Sequence, residues 1–213
     1  MLDLNDISTT IEQLRKQLVL ALRASPFVMG NDNKTTATVI HRLADQGQLN
    51  LDAGASNKLA DLMPQITQAA TVLPERLYSL VHCVAELEAH LPWYQRPIAN
   101  NPKFMESHSN AQIIGPEGIE VRHDLIVGVT LMRPNVAYPD HQHEPEELYL
   151  VLSEGVWRQA YGPWYTPGVG DLVYNPSDVF HGMHSADAPL FALWCLPLDK
   201  PFTSFSAPLP MAS

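Results

Sequence analysis

The sequence predicts a mixed fold, mainly β with α, in which an all-β sandwich or barrel follows a helical region. Three observations carry this. Apolar residues recur at helical spacing up to about residue 92. From residue 93 they fall into short alternating or apolar runs punctuated by Pro and Gly, the pattern of many short strands. Finally, Leu148, Leu150 and Leu152 alternate with Glu147, Tyr149 and Val151. If Glu147 and Tyr149 point inward, the leucines point outward and need a cover, which the helices supply from the same chain or a neighbour. The expected division is a helical region over 1–92 and a β region over 93–213.

In chain order, Thr9-Thr10-Ile11-Glu12 reads as a capping box opening a helix through Ile11, Leu14, Leu18 and Leu22, and Ser25-Pro26 ends it. The pattern repeats from Thr35 to about Gln46, closed by Gly47. Residues 56–71 form a weaker helix interrupted by Pro64. The clearest helix starts at Pro74-Glu75, lines one face with Leu77, Leu80, Val81, Val84, Leu87 and Leu91, and stops at Pro92. Strands are expected at Ala111–Ile114, Glu120–Arg122, Leu125–Arg133, Glu147–Leu152, Val156–Ala160, Asp171–Tyr174 and Pro189–Leu196. Turn residues lie between them, among them Gly115-Pro116, Ser153-Glu154-Gly155 and Pro167-Gly168. The Pro-rich segment from 197 to 213 reads as extended.

Composition narrows the function. With 46% hydrophobic and 17% charged residues the chain is globular, not disordered. The formal net charge of −10, without basic runs, argues against nucleic acid as a partner. Two cysteines far apart, Cys83 and Cys195, suit a reducing compartment. No apolar run approaches the ~20 residues of a membrane span, and the start lacks a basic, then apolar, leader. A cytoplasmic enzyme without membrane contact is the expectation.

Chemistry concentrates in Tyr138-Pro139-Asp140-His141-Gln142-His143-Glu144-Pro145-Glu146-Glu147-Leu148-Tyr149. Histidines two apart on a strand share a face, as do Glu147 and Tyr149. If the two strands pair across the intervening turn, these side chains converge. His181 follows downstream. Imidazoles with a carboxylate suit Fe, Mn, Zn, Co or Ni. Each ligating imidazole needs its other nitrogen pinned, by Asp140 or by a backbone carbonyl.

These residues resemble the two motifs of the cupin superfamily. The first is represented by His141-x-His143, three residues, Glu147, then seven residues to Gly155. The second is represented by Gly170, five residues to Pro176, then His181. Asn135 and Asp178 stand where the motifs have Gly, and Ser185 where they have Asn. The resemblance implies a C-terminal double-stranded β-helix, the jelly-roll barrel, preceded by an N-terminal helical region packed on it. More narrowly, the helical region, Tyr138-x-x-His141-x-His143 and Glu146-Glu147-x-Tyr149 resemble the cupin lyases that cleave dimethylsulfoniopropionate, above all their Q-type members. That resemblance implies a metal held by His143, Glu147 and His181, with Tyr149 close to or on it, and His141 either ligating or beside it on the substrate side. It also implies Tyr149 as general base.

Such a reaction is a β-elimination yielding dimethyl sulfide and acrylate. The substrate is a small zwitterionic sulfonium, whose cation favours aromatic faces. Tyr138 and Trp194, with Trp157, Tyr161, Trp164 and Tyr165, are the aromatic candidates. A phenol of pKa ~10 must be shifted down to act as base. Competing readings are another cupin metalloenzyme, an isomerase or an iron dioxygenase, and a ligand- or metal-sensing cupin without turnover. Whether Tyr149 or Tyr138 takes the proton, and whether the chain forms a homodimer, stay open. His41, His82, His90, His108 and His123 read as structural or surface residues.

Overall fold

A computed structural model of the chain describes residues 2–25, 28–29, 33–51, 54, 56–97 and 101–202. In chain order the elements are α1 (Leu4–Ala24), β1 (Val28–Met29), α2 (Asn33–Arg42), β2 (Gln48–Leu49), α3 (Met63–Ala70), α4 (Glu75–Leu87), α5 (Pro102–Ser107), β3 (His108–Ile114), β4 (Glu120–Val121), β5 (Leu125–Met132), β6 (Ala137–His141), β7 (Glu147–Val151), β8 (Gly155–Gln159), β9 (Leu172–Asn175), β10 (His181–Ser185) and β11 (Leu190–Pro197). Among the described residues one sheet has eight strands in the order β1-β9-β7-β11-β5-β3-β4-β2, and a second has three, β6-β10-β8. This is the double-sheet cupin architecture that the motifs imply, with helices on the larger sheet.

The first helix starts earlier than its sequence suggested. Asp3 accepts from the N–H groups of Asn5 and Asp6, and Asp6 accepts from that of Asp3, a complete capping box. Thr9 and Thr10 therefore lie inside α1. Pro64 begins α3 and does not interrupt it, because a first-turn proline lacks only an N–H that has no helical partner anyway. The second helix ends at Arg42, short of Gln46. The extended reading of the Pro-rich segment falls largely on 203–213, outside the described residues.

The alternation in β7 sorts two cores. Leu148, Leu150 and Leu152 join Ile7, Leu14 and Leu18 of α1 and Leu80 and Val84 of α4 in one buried cluster on the outer face of the large sheet. Tyr149 and Val151 join Tyr138, Trp157, Met183 and Trp194 between the two sheets. Helices and barrel thus share continuous apolar packing. Arg15 of α1 reaches through it to Glu120, with both side chains buried and the charges 2.7 Å apart.

The strand pairing differs from the sequence expectation. The segments carrying His141 and Glu147 do not pair with each other. β6 pairs with β10, whereas β7 pairs with β9 and β11, so the two lie in different sheets. β10 was not among the expected strands, and β6 was expected only as a strand carrying His141 and His143: both are short and His-bearing, without a long apolar alternation to mark them. Asn135 and Asp178, standing where the cupin motifs have Gly, adopt φ of 58° and 57°. Asn and Asp tolerate this left-handed region better than most residues, so the turns keep a glycine-like backbone without glycine.

Candidate metal centre

The site forms across the barrel, where the two sheets face each other. His141 closes β6, and His181 opens β10 directly opposite it in register. His143 lies just past β6, in the loop and not on a strand as expected. Glu147 opens β7 on the facing sheet. The ring centroids of His141 and His181 are 4.2 Å apart, and those of His143 and His181 5.1 Å. A nitrogen from each of the three imidazoles lies within 4.8 Å of the others. Glu147 Oε2 is 3.0 Å from His181 Nε2 and 3.4 Å from His143 Nε2.

The proton positions follow from simple donor–acceptor accounting. The Nδ1 atoms of His141, His143 and His181 lie 3.0, 2.8 and 2.9 Å from the carbonyls of Pro139, Pro145 and Val179. A carbonyl can only accept, so each Nδ1 carries the hydrogen. In a neutral ring each Nε2 then presents a lone pair. His181 Nε2 is buried and makes no hydrogen bond, despite its closeness to Glu147. Acceptor lone pairs facing a carboxylate in a buried space repel one another; a cation among them converts the repulsion into ligation. This donor set, neutral imidazoles and one carboxylate, fits a divalent transition metal. Asp140 does not pin a histidine; it pairs with Arg158.

Burial pushes the Glu147 carboxyl up; His143 and His181, when charged and donating to it, outweigh that and hold the group well below the usual carboxylate range, the direction in which a cation among neutral rings would also hold it. Burial, then the neighbouring charges of His181 and Arg96, push His141 well below its ordinary value, so it stays neutral. Asn175, paired in register with Glu147, donates to its Oε2 over 3.1 Å, and Gln159 Nε2 donates to Asn175 Oδ1 over 2.6 Å. This chain runs from β8 to β7 and fixes the carboxylate's orientation.

Beside the four side chains lies a chamber of about 20 Å³, lined by Tyr138, Tyr149, Trp194, His141 and Glu147 and by Tyr94, Arg96, Asn110 and Thr130. That volume holds about one water. A larger cleft of about 460 Å³, lined by Thr35, His143, Glu146 and Lys200 among others, lies outside it. Arg96 lines both. Trp194 sits opposite Gly128 in register, and a Cβ on Gly128 would collide with the indole, so the glycine makes room for that ring. Glu146 turns away from Glu147, accepting from Thr35 Oγ1 at 2.6 Å and from the Tyr174 hydroxyl at 3.0 Å.

Both chamber tyrosines are pushed toward the protonated phenol. Tyr149 is raised well above its usual value by burial and then by Glu147. Tyr138 is raised by burial, against the opposing charge of Arg96. The protein alone does not shift Tyr149 down, as its expected role as base demands. Of the remaining aromatic candidates, Trp157 is buried between the sheets, Tyr161 and Trp164 are exposed, and none of these or Tyr165 lines the chamber.

Sequence reasoning missed Tyr94, Arg96, Asn110, Thr130, Asn175 and Gln159. The i, i+2 spacing of Tyr94 and Arg96 puts them on one face of an extended segment, a signal too common to mark a site. Thr130 and Asn110 become neighbours only through the pairing of β3 and β5, where their side chains hydrogen-bond at 2.6 Å.

A family model for dimethylsulfoniopropionate lyase matches residues 31–192. A putative dimethylsulfoniopropionate lyase DddL of Cereibacter sphaeroides is 22% identical over 199 residues, covering 86% of this chain and 84% of the relative. Dimethylsulfoniopropionate lyase DddQ of Ruegeria pomeroyi is 33% identical over 91 residues, 42% of this chain and 45% of the relative. Among solved structures, one described with the DMSP lyases RdDddP and RnDddQII superposes with a TM-score of 0.65 at 19% identity, covering 93% of this chain and 99% of the other. DddQ from Ruegeria pomeroyi superposes with a TM-score of 0.60 at 22% identity, over 76% of this chain and 82% of that one. No helix among the described residues is long and apolar enough to cross a membrane.

Proposed function

The chain belongs to the dimethylsulfoniopropionate lyase family, and from that premise we propose that it cleaves dimethylsulfoniopropionate to dimethyl sulfide and acrylate at a metal held by His141, His143, Glu147 and His181. The observation that carries the reading is the convergence of three Nδ1-protonated histidines on one buried carboxylate beside an aromatic chamber. When bound, a divalent metal supplies a Lewis acid at the substrate carboxylate, toward which negative charge develops.

The residues do the rest. A base removes the proton α to the carboxylate. The electron pair of that C–H bond becomes the new C=C bond, and the pair of the C–S bond leaves with sulfur as neutral dimethyl sulfide. Tyr149 is the base: it lines the chamber together with Glu147, and a bound metal would supply positive charge against the burial that keeps its phenol protonated. Tyr138 and Trp194 offer the sulfonium aromatic faces, where it cannot be met by an N–H donor, and the chamber, sized for about one water, must widen to admit it. A second assignment of the base, to Tyr138, is favoured by one observation: Tyr138 lines the same chamber as Arg96, whose positive charge opposes the burial that keeps its phenol protonated.

The test is headspace dimethyl sulfide from protein reconstituted with Fe, Mn, Co, Ni or Zn, alongside Tyr149→Phe and Tyr138→Phe, with metal content measured. Tyr149→Phe is expected to lower the rate by about 10²–10⁴, the usual worth of a positioned base, with metal retained. The same loss in Tyr138→Phe alone would move the base there. No release with any of the five metals would sink the lyase reading.

A further inference from the structure

Resting on that reading, we infer that Arg96 engages the substrate's carboxylate alongside the metal site and so sets the enzyme's preference for zwitterionic over simple sulfonium ligands. A zwitterion presents two charges, and the aromatic wall accounts for one. Among the described residues lining the inner chamber, Arg96 is the one guanidinium or ammonium group, and it faces Glu147, Tyr138 and Tyr149 there. It also lines the outer cleft, so its side chain borders both spaces. A guanidinium keeps its charge at any working pH and meets a carboxylate with two parallel N–H groups.

The chain around Arg96 is held in place before any ligand arrives. The Arg96 N–H donates to His108 Nε2 over 2.9 Å, and His108 Nδ1 donates to the Phe104 carbonyl over 2.7 Å. The His108 ring is fully buried and stacks on Phe104 at 3.7 Å. Two residues earlier, Tyr94 is bridged to Asn110 by reciprocal backbone hydrogen bonds of 2.8 Å. The guanidinium shares the chamber with the Tyr138 phenol. A pinned backbone lowers the entropic cost of engaging a ligand. The competing explanation is that Arg96 merely balances the charge of Glu147. The two differ in what loss of the guanidinium does to ligands with and without a carboxylate.

The experiment uses two half-substrates as probes of the metal-loaded protein: acrylate, which has the carboxylate, and ethyldimethylsulfonium, which lacks it. Binding is followed by calorimetry for wild type, Arg96→Met and Arg96→Lys, with metal stoichiometry checked and KM and kcat measured in parallel. Arg96→Met should weaken acrylate by about 30-fold or more, the scale of a lost charge-assisted pair, and leave ethyldimethylsulfonium unchanged or tighter. Arg96→Lys, which keeps charge but loses the fork, should weaken acrylate by about 3–10-fold, and it carries the test if Arg96→Met loses its metal or fails to fold. Unchanged acrylate binding, or equal weakening of both probes, would overturn the inference. Failure of the lyase reading shows itself separately, as wild-type protein that releases no dimethyl sulfide.

Discussion

Asn175→Leu tests whether the orientation of Glu147 matters to the metal. Asn175 and Glu147 are both almost completely buried, at 1% and 3% exposure, so no water replaces a lost partner. The variant removes the 3.1 Å donation to Oε2 and leaves Gln159 with the Tyr174 carbonyl as its other acceptor, which confines the damage to the carboxylate. A hydrogen bond to a charged group contributes about 1.5–3 kcal/mol. At about 1.4 kcal/mol per factor of ten, that is roughly 10–150-fold in metal affinity. Partners of ligating groups typically contribute about 10–100-fold, so the two estimates meet. The assay is competition for Zn²⁺ against a chelator of known affinity, with urea unfolding of the metal-free variant to show that the fold persists. Glu147→Gln is the reference. An affinity within about 3-fold of wild type for Asn175→Leu, while Glu147→Gln is strongly weakened, would refute the orienting role. Unchanged affinity in both would remove Glu147 from the ligand set.

Two further outcomes concern the frame that holds the site. Glu120→Ala strands the Arg15 guanidinium in a buried position and should cost about 3–5 kcal/mol in urea unfolding, whereas Arg15→Met with Glu120→Leu should recover most of it; equal losses in both would contradict this. Burial, opposed by the Phe104 hydrogen bond, pushes His108 down to about 4 from 6.5. The unfolded chain therefore binds the extra proton between those values. The stability that a neutral His108 provides is complete above pH 6.5 and is lost as pH falls toward 4. That difference is worth about 3 kcal/mol. His108→Gln should flatten the pH dependence of unfolding over that window, and an unaltered slope would show that another group carries it.

How much of this was legible beforehand depended on how local each determinant is. His141, His143, Glu147 and His181 stood out because ligand residues at short fixed spacings leave a local trace. Tyr149 followed from the two-residue period of a strand, and the same period told which leucines the helices cover. The start of α1 was misread because two capping boxes lie within one turn or two of each other, and Asp3 with Asp6 closes the earlier one. The pairing of β6 was misjudged because neighbours along the chain are not neighbours in a barrel. The mixed fold class and the leucines that face the helices were legible in the sequence, because they are properties of side-chain type and periodicity along one segment; the short strands β1 and β2, which join the large sheet from within the helical region, were not. The tertiary structure alone decided that the His141 and Glu147 strands face each other from opposite sheets, that three backbone carbonyls fix the histidine tautomers, and that Tyr94, Arg96, Asn110 and Thr130 close the chamber. Those contacts depend on which strands hydrogen-bond across the barrel, and that choice is made by the packing of the whole core, not by any single stretch of chain.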